Sequence, residues 1–86
     1  MRRAIEAYLA VQQSLQSRNI GPKKVLTRVQ RLFELLAEGD KDRLEEGILP
    51  SPSSVKRLAQ ESGFSLDTCV EDLKNFLFWR QHYRYQ

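Results

Sequence analysis

Between positions 22 and 38 the apolar residues Val25, Leu26, Val29, Leu32, Phe33 and Leu36 recur at i, i+3, i+4 and i+7, with mostly polar or charged residues between them. That is the period of an amphipathic α-helix, held over about four turns. A one-sided helix must bury its stripe against other elements, so its partners have to come from the same short chain or from another copy. The same spacing recurs in Ile5, Tyr8, Leu9 and Leu15, in Val55, Leu58 and Ala59, and in Leu66, Cys69, Val70, Leu73, Phe76 and Leu77. Outside Phe76–Tyr85 no useful length of strand-like alternation occurs. The expected fold is all-α, a compact domain of four to five helices over residues 1–86, with no internal repeat.

Breaks between the stripes predict where the helices stop. Asn19-Ile20-Gly21 ends a first helix running from Arg2 to about Arg18, and Pro22 suits the first turn of the next. Gly39 is expected to close that second helix after Glu38. Asp40 then caps a short third helix over Lys41–Glu46 that closes at Gly47, with Leu44 its one apolar residue. Ile48–Ser54 contains Pro50 and Pro52 and reads as a connector, too short to separate two domains. Ser51 or Ser53 caps a fourth helix ending at Gly63, and Ser65 caps a fifth that extends through Arg80 to Tyr83. Leu15, Phe64 and the members of the stripes supply the expected core. A core of this size is small, which favours oligomerisation.

Charge is unevenly spread. Residues 1–33 carry a net +6, residues 34–46 a net −4 and residues 47–86 a net +1, within an overall +3. Lys24, Arg28 and Arg31 fall at i, i+4 and i+7 and so share one face of the second helix. Such a stripe suits an anion, and equally a solvated surface.

Residues 54–76 carry the most distinctive pattern: Leu58-Ala59, three residues, Gly63, Phe64, Ser65, two residues, Thr68, then Asp72-Leu73 before Phe76. A small residue lets two helices cross closely, a glycine turns the chain with positive φ, and a serine caps the second helix. The string resembles the helix-turn-helix of DeoR-like, winged-helix transcriptional regulators, over residues 53–78. The resemblance implies double-stranded DNA as a partner, with Ser65, Thr68 and Lys74 on the second helix of the motif and Lys56 and Arg57 on the first. Lys24, Arg28 and Arg31 would supply further phosphate contacts. This chain departs from that family in two respects. Its second helix carries Asp67, Glu71 and Asp72 against Lys74, and the residues after Phe78 lack the turn formers of a hairpin, so no complete wing is expected.

Phe76, Phe78, Trp79, Tyr83 and Tyr85 crowd the C-terminal end, interleaved with Arg80 and Arg84. Trp79, Arg80, Tyr83, Arg84 and Tyr85 are candidates for a partner surface, because such residues dominate interface energetics. Chemistry is thinly supplied. His82 and Cys69 are the sole histidine and cysteine, Asp40-Lys41-Asp42 lacks the rest of a calcium loop, and there is no zinc spacing or phosphate-cradling glycine loop. Catalytic residues, metal, cofactor, small-molecule substrate, membrane span and signal peptide are therefore not expected, and a cytoplasmic location is.

Two functions follow. One is a small DNA-binding regulator of the transcriptional or plasmid and phage type, acting as a homodimer on a palindromic site. The other is a protein-interaction adaptor that uses the acidic second helix of the motif and the aromatic tail. The homodimer would form through the first helix or the tail.

Overall fold

The computed structural model describes residues 3–18 and 23–82, without the side chains of Lys23 and Lys24. Every regular element among them is an α-helix: α1 (Arg3–Ser17), α2 (Lys23–Leu35), α3 (Glu38–Glu45), α4 (Pro52–Ser62) and α5 (Leu66–His82). The expected N-terminal start at Arg2, the turn at Asn19–Pro22 and the extension to Tyr83 lie outside the described residues. α1 packs on α2, α3 and α5, while α4 bridges α2 and α5.

All five helices feed one core. Ala4, Leu32, Leu44, Leu58, Cys69, Leu73 and Phe76 are all but inaccessible to solvent. Tyr8 sits at the junction of α1, α2 and α5, with ring centroids 6.3 Å from Phe33, 5.2 Å from Phe76 and 5.1 Å from Trp79, all edge-to-face. Such contacts add to simple area burial, and they fix the angles at which the three helices meet. Phe64 packs half-buried against this core, as its place in the motif predicts. Leu15, near the C-terminal end of α1, does not join it and is 36% exposed.

The boundary between α2 and α3 differs from the sequence expectation. α2 stops at Leu35 rather than Glu38, and Ala37 takes an extended conformation (φ −64°, ψ 153°) that starts α3 three residues earlier than Asp40 would. Gly39 therefore lies inside the first turn of α3 and ends nothing. Leu36, in the two-residue link after α2, and Leu44 of α3 both reach the core. It also sets Glu38 and Asp40 in the first turn of α3 and Arg43 in its last, the arrangement the helix dipole favours.

The ends of α4 and α5 follow the sequence closely. Ser51 Oγ accepts the Ser54 amide at 3.3 Å with Pro52 in the first turn, and Ser65 Oγ accepts the Thr68 amide at 3.1 Å. Gly63 closes α4 at φ 80°, and three residues separate the two helices.

Candidate interaction surface

One member of the basic stripe on α2, Arg28, is paired inside the fold. Arg28 and Asp72 form a two-pronged ion pair, with Nε 2.7 Å from Oδ2 and Nη2 2.9 Å from Oδ1. Asp72 is buried on the inner side of α5, and Arg28 reaches across from α2 to meet it. Its hydrogen bonds to Asp72 hold the Arg28 guanidinium protonated above its ordinary range, against the opposing effect of burial. Each residue answers the other's charge, so Arg28 offers no free cation to a phosphate and Asp72 no free anion to repel one. Arg31 remains exposed, with Glu34 3.9 Å away in the same helix. The side chain of Lys24, the third member of the stripe, lies outside those described.

The remaining candidates for DNA contact fall on α4 and α5. Lys56, Arg57 and Lys74 are exposed, and so are Glu61, Asp67 and Glu71 on the same two helices. Ser65 and Thr68 spend their polar atoms on the helix cap, with Ser65 Oγ 2.8 Å from Thr68 Oγ1. Arg57 borders a small hollow with Leu36, Asp40 and Glu61 rather than an open basic surface.

Among the candidates for a partner surface, Trp79 is half-buried in the aromatic cluster. Arg80 is used internally: its Nε donates to the Glu45 carbonyl at 2.7 Å, and its guanidinium lies against Gly47, which turns the chain at φ 87°. A Cβ at position 47 would come within 3.0 Å of Arg80 Nη1, so glycine serves both the turn and the close approach. Tyr83, Arg84 and Tyr85 lie outside the described residues.

Glu45 belongs to none of the motifs in the sequence. In the fold its carboxylate receives the Ala4 amide through Oε1 and the Ile5 amide through Oε2 (3.1 Å), capping α1 from α3. No local pattern announces a cap supplied from so far along the chain.

A patch missed at the sequence level lies where α5 begins. Leu66 is 42% exposed, and Ile48 in the preceding connector is 50% exposed. Beside Leu66 opens a groove of about 230 Å³, lined by Leu49, Pro50, Pro52, Val55 and Val70 with Lys56 at its edge. The exposed flank of α5 beside it carries Asp67 and Glu71. The signal in the sequence was the spacing of Leu66 and Val70, which reads equally well as core.

Groups able to do covalent or metal chemistry are few. Cys69 is buried, and desolvation pushes its thiol above the usual range, which keeps it protonated. His82 stands about 20 Å further along the same helix, with Nδ1 2.9 Å from the Phe78 carbonyl oxygen. No group of three or more His, Cys, Asp and Glu side chains that could hold a metal ion occurs among the described residues. No helix among them is long and apolar enough to cross a membrane. No family model matches the chain, and no curated protein or solved structure gives a match.

Proposed function

We propose that this chain is a non-enzymatic protein-binding module, which uses a helix-turn-helix-like scaffold to present the start of α5 to an apolar segment of another protein. A DNA reader lays the first residues of its second motif helix on the bases, inside a positive surround. Here the accessible ones are Leu66, Asp67, Thr68, Val70 and Glu71; Thr68 is tied to the Ser65 cap, the others are apolar or acidic, and Leu66 and Val70 line the groove with Leu49, Pro52 and Val55. That juxtaposition carries the reading. The pairing of Arg28 with Asp72 supports it, because it withdraws the best-placed cation of α2 from any phosphate contact. An exposed apolar patch rimmed by polar residues is a common mark of a protein interface.

DNA binding is the second reading. It is favoured by the three-residue turn between α4 and α5 and by exposed Lys56, Arg57 and Lys74. One pair of measurements separates the two. Peptides selected from a random display library against the folded domain should shift the amide resonances of Leu49, Val55, Leu66 and Val70. The exposed substitution Leu66→Asp should then weaken them at least tenfold without altering the circular dichroism spectrum. A fluorescent random-sequence duplex should show no micromolar binding at low salt. Micromolar, steeply salt-dependent duplex binding that is lost in Lys56→Ala/Arg57→Ala would overturn the protein-binding reading in favour of DNA.

A further inference from the structure

We draw no further inference here: the strongest candidate, the groove between α1, α2 and α3 lined by Ile5, Leu9 and Phe33, carries nothing because its Glu34 and Asp42 already have partners and nothing in the structure shows what covers it.

Discussion

The α4–α5 hairpin and the α1–α3 side of the molecule solve the same problem by different means. Both must satisfy helix ends, yet the hairpin does so with residues three positions away, Ser51 with Ser54 and Ser65 with Thr68. On the other side, Glu45 reaches amides 41 and 40 positions distant, Arg80 a carbonyl 35 positions distant, and Arg28 pairs with Asp72 44 positions away. Local caps let a hairpin take shape by itself. Distant ones act only once the bundle has closed, so they contribute to cooperativity rather than to the nucleation of any one helix.

The sharpest way to break that contrast is Asp72→Ala. It leaves the Arg28 guanidinium, 30% exposed, without its partner, and should cost about 2–3 kcal/mol in urea unfolding, because a stranded charge and two charge-assisted hydrogen bonds are involved. The double variant Arg28→Met/Asp72→Leu should recover most of the loss. If Asp72→Ala is neutral, the long-range pair holds nothing. Glu45→Ala comes next, at about 1–2 kcal/mol, with faster hydrogen exchange at the Ala4 and Ile5 amides and none at Thr68. Equal acceleration at both sites would erase the distinction between distant and local caps.

The local caps of the hairpin should be more forgiving. Gly63→Ala meets no atom within 4 Å, so its cost is the positive-φ backbone alone, about 1 kcal/mol. Ser65→Ala should cost about 0.5–1 kcal/mol. The smallest effect is confined to alkaline solution. Burial, followed by the nearby charge of Asp72, raises the Tyr8 hydroxyl above its ordinary 10.0, and burial raises the Cys69 thiol above its ordinary 9.0. In both cases folding favours the protonated form. Their contribution is therefore complete below pH 9 and is lost as pH climbs through the raised values. Tyr8→Phe should flatten the part of the decline above pH 10. An unchanged slope would mean that Tyr8 is not its source.

How much of this was legible follows the same division. Helical stripes, Ser65, Gly63, Gly47 and the Ser51 cap are signals contained within a few residues, and the helices they predict are present, α4 beginning at Pro52 inside the expected connector. The end of α2 was misread because Gly39 looks like a terminator, whereas the chain breaks at Leu36-Ala37, with Leu36 and, in α3, Leu44 both buried. Asp72 and Arg28 looked like opposing votes on DNA binding, one repelling phosphate and one attracting it. Only the packing of α2 near α5 reveals that they answer each other. The groove beside Leu66 was hidden for a related reason, since a helical stripe does not say which of its members will find a neighbour.

Glu45 has a consequence of its own. Its carboxylate fastens α1, while its main-chain oxygen receives Arg80 from α5, so one residue of the shortest helix joins two elements from opposite ends of the sequence. During synthesis the first helix emerges long before Glu45 does, and α5 last of all. The clasp therefore closes only once α5 is available. A fragment cut short before α5 would keep the contact between Glu45 and the first helix but lose the Arg80 brace that fixes Glu45 from the other side.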